Sequence, residues 1–356
     1  MPAAQVSVFP TPQHEPSVID IMKNSRQKIN FSDACRAMVR DNLSPERGFS
    51  LVEMMISIVI GLFIVAALIA VLVSSSGSSK TNERTAELQS NGRYALNHLK
   101  RELRHAGYRG FTWADPTPGA VDVTNECLGA GAAAGAFANN IRQGIWGAND
   151  GNPFTTNCLL AGYVRGDVLV IRRVAGQAAT VLTASTLYFR STYADGRVFQ
   201  GASAPTVAGT PIANFALQEY VYFIGPDNDN AAIPALRRIA LKGNGEDCNG
   251  TAGTAAIMCN EMVVSGIEHM QVQYGRTTSD GNTRYFNANN IAGLSSDAGS
   301  INWDDVNSVR IWLLARNAKA EAGYANSNSY VMGDQTYTAN DSFRRQLFAV
   351  VVQLRN

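Results

Sequence analysis

One uninterrupted apolar segment constrains the fold of this chain more than any other feature of its sequence. Residues 49–73 read FSLVEMMISIVIGLFIVAALIAVLV, and Glu53 is the only charged residue among them. At about 1.5 Å of rise per residue, a helix of this length crosses the ~30 Å hydrocarbon core of a bilayer. Apolar side chains cover every face, which excludes an amphipathic helix lying on a membrane surface. The sequence therefore predicts a membrane-spanning helix.

Basic residues on the two sides of the segment predict its orientation. Arg36, Arg40 and Arg47 precede it closely, whereas the first basic residue after it is Lys80. Because positive charge is retained on the cytoplasmic side, the bulk of the chain after the span is expected to be translocated. A secretory signal peptide is the competing interpretation, but its apolar core has about 7–15 residues and ends at a small-residue cleavage site. The longer run and its carboxylate favour a span.

Glu53 admits two interpretations. A lone carboxylate in a bilayer costs at least about 2.5 kcal/mol and is usually functional, although one near a helix end can be tolerated at headgroup level. Alternatively, cleavage between Gly48 and Phe49 would give Phe49 a free amine one helical turn from Glu53, on the same or a neighbouring chain. Such a pair would hold packed helices in one axial register, because another stagger leaves both charges unpaired in an apolar medium.

The residues around this junction carry a family signature. RGFSLVEMMISIVIG, residues 47–61, resembles the class III prepilin signal: a basic leader ending in Gly, then Phe, three residues, Glu and a continuous apolar stretch. The resemblance implies that Gly48 ends a leader, residues 1–48, which prepilin peptidase removes. It also implies that Phe49 becomes the N-methylated first residue and that Glu53 serves filament registration and assembly. The leader is long for this family, and a start at Met38 would give one of ordinary length.

Two further stretches resemble the PilW group of minor pilins. They are LQSNGRYALNHLKRELRHAGYRGF, residues 88–111, and RRQLFAVVVQLRN, residues 344–356. The resemblance implies an α+β, type IV pilin-like fold, in which a long N-terminal hydrophobic helix packs on an antiparallel β-sheet head with long loops. It also implies a minor pilin that helps initiate type IV pilus assembly and lies at or near the pilus tip.

The same resemblance implies partners and a location. The partners are the inner membrane, prepilin peptidase, other minor pilins, the major pilin and a PilY-type tip adhesin. The protein is expected in the inner membrane with a periplasmic head, and then in the pilus on the cell surface. Cell adhesion and twitching motility are the processes that this assignment suggests.

The sequence also predicts the boundaries of the folded parts. Residues 49–79 form the membrane and filament-core helix, residues 80–110 an amphipathic half of that helix, and residues 111–356 the β-rich head. SSSGSS, residues 74–79, contains poor helix formers and indicates either a softened helix or a linker. In the amphipathic half, one apolar stripe is formed by Leu88, Ala95, Leu99, Leu103 and Ala106, and Gly107 is the predicted helix stop.

Short runs of β-forming residues follow. The predicted strands are residues 167–174, 180–189, 219–224, 236–241, 270–274, 309–315 and 346–354. Several alternate apolar and polar residues, which is typical of an antiparallel sheet with one solvated face. Residues 115–165 and 277–305 are rich in Gly, Ala, Asn and Asp, and they are predicted to be long surface loops.

Cysteine usage is consistent with an oxidising compartment. Of five cysteines, Cys35 lies in the leader and the other four remain after cleavage. Two disulfides are favoured, Cys127–Cys158 and Cys248–Cys259, which is one of three possible connectivities. Buried free thiols are the alternative.

Patterns for other chemistry are missing from the sequence. The four histidines, His14, His98, His105 and His269, lack the spacing of a zinc pair and are interpreted as solvated or capping residues. Residues 227–230 form a turn rather than a calcium loop, since the required Gly and Glu are absent. With a formal net charge of +1 and no basic block, the chain has no nucleic-acid signature. No cofactor, metal or catalytic motif is predicted, so the chain is not expected to be an enzyme.

Two other functions compete with a minor pilin. A J-type minor pseudopilin of a type II secretion system shares the signal and a β-rich head, but such proteins are typically smaller and lack the two PilW-like stretches. An exported hydrolase on an uncleaved anchor would require catalytic residues on the head, and the sequence presents none.

Overall fold

The computed structural model of the chain describes residues 48–155, 158, 162–243, 255–278, 280–291 and 301–355. It divides into two compact units whose boundary lies between Leu72 and Val73. The first unit contributes an apolar stretch of helix, and the second contains the rest of that helix and all the strands. The architecture is α+β, as the sequence predicts.

A single helix, α1, extends from Leu51 to Leu103. It continues through residues 74–79, so the linker interpretation of the SSSGSS segment is wrong. Serine costs only about 0.5 kcal/mol and glycine about 1 kcal/mol relative to alanine in a helix. Six such residues are therefore insufficient to end a helix that good helix formers continue on both sides.

The second part of α1 carries the predicted buried stripe. Leu88, Ala95, Leu99, Leu103 and Ala106 are all buried, which confirms the amphipathic pattern. The helix ends at Leu103, earlier than the predicted stop at Gly107. Gly107 lies in the following turn with a φ of 77°, where the left-handed conformation favours glycine. Its N–H donates to the carbonyl oxygen of Arg172 at 2.9 Å, which joins the turn to the sheet.

The larger sheet has eight strands in the described part of the chain. They are β1 (Val123–Thr124), β2 (Ile145–Ala148), β3 (Arg165–Val174), β4 (Leu187–Ser191), β5 (Gly196–Gln200), β6 (Ala213–Pro226), β7 (Pro234–Lys242) and β8 (Ala256–Ser265). The main path runs β1-β8-β7-β6-β3-β2, and β4 pairs with both β6 and β5. These pairs are antiparallel except β1–β8, which is parallel. A short helix, α2 (Ala136–Asn139), lies between β1 and β2 in the sequence.

A second, antiparallel sheet follows in the order β10-β9-β11-β14. Its strands are β9 (Ile267–Thr277), β10 (Thr283–Phe286), β11 (Ser308–Arg316) and β14 (Arg345–Gln353). The hairpin of β12 (Ser329–Met332) and β13 (Gln335–Thr338) forms a separate two-stranded sheet. Two 3-10 helices, Ala288–Asn290 and Trp303–Asp305, lie between β10 and β11.

The main core joins α1 to both sheets. The helix stripe belongs to the same cluster as Leu169 and Tyr222 of the larger sheet and Val272 and Ile311 of the smaller one. Helix and sheet lie close together at Gly92, where a Cβ atom would lie 2.1 Å from the ring of Phe348 in β14. Any larger residue at this position would require that ring to move.

The two predicted surface loops are partly wrong. Residues 115–165 contain β1, α2 and β2, with Phe137, Ile141 and Ile145 buried. The range 277–305 contains β10 and the buried Trp303. Small residues serve close packing here, since a Cβ at Gly144 would lie 2.4 Å from the Cα of Gly107. The predicted strands all overlap observed ones, although residues 180–186 of one prediction are not in a strand.

Candidate functional site

The predicted cleavage junction lies immediately before α1. Gly48, Phe49 and Ser50 have no regular secondary structure, and the helix begins at Leu51. Glu53 therefore lies in the first helical turn. A carboxylate at this position interacts favourably with the positive end of the helix dipole. The structure thus places the three predicted signal residues within one short segment.

The apolar side chains that follow the junction are exposed within the first unit. Their exposed fractions range from 53% at Ile56 to 83% at Phe49. The helix is long and apolar enough to cross a membrane, and none of its most apolar window is buried. Exposure of so much apolar surface to water is unfavourable, so this segment requires a bilayer or neighbouring helices around it.

The two polar side chains Ser57 and Glu53 differ in whether they have a hydrogen-bond partner within the protein. The hydroxyl of Ser57 donates to the backbone carbonyl of Glu53 at 2.7 Å, so it needs no outside partner. Within the residues that the structure describes, no donor or cation contacts the Glu53 carboxylate. An outside cation is therefore needed to neutralise Glu53 in an apolar environment.

Gly48 has open space around it. Among the described residues, no heavy atom lies within 4 Å of the position that a Cβ would occupy. Nothing in this fold requires glycine there, in contrast to Gly92 and Gly144. A requirement for glycine at Gly48 would come from a molecule that recognises the junction.

Three of the four cysteines of the head are visible. Cys127 and Cys158 form a disulfide, one of the two pairings that the sequence favours. Cys259 is also disulfide-bonded. Cys248, its expected partner, lies outside the described residues.

The interpretation of the histidines is wrong at two positions. His98 and His269 are buried, and burial lowers the pKa of each imidazole. His98 Nε2 is 3.0 Å from the hydroxyl of Tyr222, so this histidine is a packed core residue. His105 is exposed, and His14 lies outside the described residues. No group of three or more metal-ligating side chains occurs in the described part of the chain.

Two buried charge clusters were not anticipated from the sequence. In the larger sheet, Arg172 lies 4.0 Å from Glu219, and burial raises the pKa of that carboxyl. In the smaller sheet, Arg345 contacts Glu268 at 2.5 Å and Asp341 at 2.6 Å. The second cluster fixes the start of β14. Because charged residues in strands usually face solvent, one sequence offers no signal that separates these from surface residues.

Comparisons with known proteins match two parts of the chain. The family model for type IV pilus-assembly protein W, PilW, matches residues 221–356, and the model for the prokaryotic N-terminal methylation motif matches residues 43–74. Together the two matches support a PilW-type pilin. The matched methylation motif includes Gly48, Phe49 and Glu53, and the PilW match extends from β6 to residue 356.

Other comparisons are more distant. A type IV-like pilin from Thermus thermophilus is 15% identical, with a TM-score of 0.31 over 76% of this chain and 96% of that one. No curated protein matches the sequence significantly.

The two matches indicate the role of the junction at a coarse level. An N-terminal methylation motif on a pilus-assembly pilin implies processing by prepilin peptidase and assembly with other pilins. PilW-type pilins are structural components of the pilus rather than enzymes. Residues 88–111 lie outside both matched ranges, but their Gly92 packs on Phe348 within the PilW match.

Proposed function

We propose that this PilW-type pilin is a minor pilin that helps to initiate type IV pilus assembly and lies at or near the pilus tip. After removal of residues 1–48, it waits in the inner membrane with its head in the periplasm and then enters the surface pilus. The basic residues before the span and the disulfide of the head both support this location.

One observation carries the proposal: a single carboxylate, without a cation among the described residues, in the first turn of an exposed apolar helix. The methylated amine of Phe49, created by cleavage one turn away, is the cation that neutralises it. Pairing between neighbouring chains sets the axial register of the bundle, since a mismatched stagger leaves Glu53 unpaired. Helix burial then stabilises the complex of minor pilins and the major pilin, and a PilY-type adhesin binds the head.

The first experiment compares Glu53→Ala with Glu83→Ala in the full-length chain. Glu83 is an exposed acid of the same helix beyond the apolar segment, so it is a matched control. Both variants should insert and be cleaved, with Gly48→Val marking the size of an uncleaved precursor. In sheared pili, Glu53→Ala should be depleted about tenfold, while Glu83→Ala should match the wild type. Normal incorporation of Glu53→Ala would disprove the registration role.

A second experiment tests the tip position and the initiation role. Mass spectrometry of the mature N-terminus should give N-methylated Phe49. Immunogold labelling of the head should mark filament ends, and deletion of the chain should sharply reduce the number of pili. Labelling along the whole filament would exclude the tip position, and unchanged piliation would exclude initiation. Loss of type II secretion with normal pili would instead indicate a J-type pseudopilin.

A further inference from the structure

A cleft of about 240 Å³ lies in the second unit, beyond the C-terminal end of α1. Four segments line it: the chain after α1, the chain from Arg142 to the start of β2, the 3-10 helix Trp303–Asp305 and Leu354 after β14. The side chains that give it its chemistry are Arg109, Trp113, Asp115, Arg142, Trp303 and Asp304. None of them belongs to the N-terminal junction.

Contacts within the protein hold the cleft in shape. The guanidinium of Arg142 donates to Asp115 and to Asp304, each at 3.1 Å, and so connects its own segment to two others. Gly144 and Gly107 hold the backbone together at the base of these segments, because a Cβ on Gly144 would meet the Cα of Gly107. The cleft is therefore preformed, as small-molecule sites usually are.

Its two tryptophans are in contrasting environments. Trp303 is 5% exposed and packs edge-to-face on Tyr274, with 4.8 Å between the ring centroids. Trp113 is 76% exposed, and the described residues place no aromatic ring against it. An exposed indole beside a preformed cleft offers an apolar face and one N–H donor to a ligand.

Among the described residues Arg109 forms no ion pair, although the carboxylates of Asp115 and Asp304 are near enough to act on its charge. It is half-buried, and burial lowers its pKa. Among the described residues its guanidinium makes one hydrogen bond, to the carbonyl of Ala114 at 3.3 Å. A guanidinium has five N–H donors, so Arg109 can bind an anionic group such as a carboxylate. Asp115 and Asp304 retain oxygens that accept hydrogen bonds from hydroxyl groups.

From this combination we propose that the cleft binds a saccharide containing a uronic acid residue. The C–H face of the sugar ring packs on Trp113, its hydroxyls donate to Asp115 and Asp304, and its carboxylate accepts hydrogen bonds from Arg109. A neutral sugar leaves Arg109 unsatisfied, and a simple carboxylate leaves Trp113 uncovered. The proposal goes beyond the minor-pilin role and does not depend on it.

The test uses the mature full-length protein in lipid nanodiscs, since glycosidic detergents would compete for the cleft. Isothermal titration with trigalacturonate and with galactotriose provides an acidic and a neutral probe. The acidic trisaccharide should bind at least about tenfold more tightly, and Trp113→Ala should weaken its binding by about tenfold. Tyr193→Ala is the matched control because Tyr193 is 68% exposed and lies outside the cleft.

Arg109→Gln separates recognition of the acid from recognition of the ring. In that variant the two trisaccharides should bind with similar affinity, and thermal melting should confirm that each variant is folded. The proposal is overturned if neither trisaccharide binds at millimolar concentration, or if Trp113→Ala binds like the wild type. It is also overturned if acetate competes as well as trigalacturonate does.

Discussion

At the scale of single residues, Asp167 joins the two sheets of the head. Its carboxylate accepts hydrogen bonds from the N–H groups of Asp150 at 2.9 Å and of Val272, in the other sheet, at 2.7 Å. Burial raises the pKa of Asp167 to about 7, and the neighbouring carboxylates of Asp150 and Asp334 act in the same direction. The folded protein therefore binds this proton more tightly than the unfolded chain does.

This shift predicts a pH dependence of stability. Since the folded pKa is raised, the contribution of protonated Asp167 is fully present below the unfolded pKa of about 3.9 and is lost as pH rises through about 7. Asp167→Asn stays neutral and should lack this loss. Between about pH 5 and pH 8, the wild type should lose about 2 kcal/mol more of its free energy of unfolding than Asp167→Asn does. Urea titration at each pH measures the two losses.

Two comparisons make the pH experiment specific. Asp122→Asn changes an exposed carboxylate and should reproduce the wild-type pH dependence. Glu219, whose pKa burial raises as well, contributes the same slope to every protein in the series. Parallel curves for the wild type and Asp167→Asn would contradict the assigned pKa.

The residues of the junction could be predicted because they stand out from the apolar sequence that follows them. Glu53 is the one charge in an apolar run, and Gly48 and Phe49 precede it at the spacing of a known signal. Asp167 and Arg345 gave no such signal. Their burial results from strand pairs far apart in the sequence, and local patterns do not report those pairs.

At the scale of secondary-structure elements, the contact between α1 and β14 can be tested by comparing substitutions of two glycines in the same helix. Gly92→Leu places a side chain into the ring of Phe348 and should lower the free energy of unfolding by about 1–3 kcal/mol. Gly77→Ala changes a glycine of the same helix that has no atom within 4 Å of its Cβ position. It should stabilise the protein by up to about 1 kcal/mol.

A double variant identifies the cause of the loss. Phe348→Ala combined with Gly92→Leu removes the clash, so the two changes should cost less together than the sum of their separate effects in urea unfolding. Strict additivity would mean that the cost arises elsewhere.

The elements themselves were unequally predictable. The long helix and the strands with strong apolar patterns followed from periodicity alone. The strands β1, β2, β10, β12 and β13 were not predicted, because four or fewer residues carry too little pattern, and β5 and β8 were also missed. Residues 115–165 were misread because glycine-rich composition indicates both loops and close backbone packing, and only the three-dimensional contacts separate these two causes.

At the scale of the whole molecule, the Cys127–Cys158 disulfide closes a loop across 31 positions of the sequence. Changing both cysteines to alanine should lower the free energy of unfolding by about 3 kcal/mol, because the unfolded chain regains conformational freedom. Urea unfolding of the oxidised protein measures this. The double variant should also be less sensitive to dithiothreitol than the wild type, and an unchanged urea midpoint would disprove the stabilising role.

The contact between Gly92 and Phe348 also determines when this protein can finish folding. Translation produces the helix before β14, with more than two hundred residues between Gly92 and Phe348. The part of α1 around Gly92 therefore stays uncovered by β14 until the ribosome has synthesised that strand. A nascent chain stalled or truncated before β14 would lack that covering strand and would leave this face of the helix exposed to water.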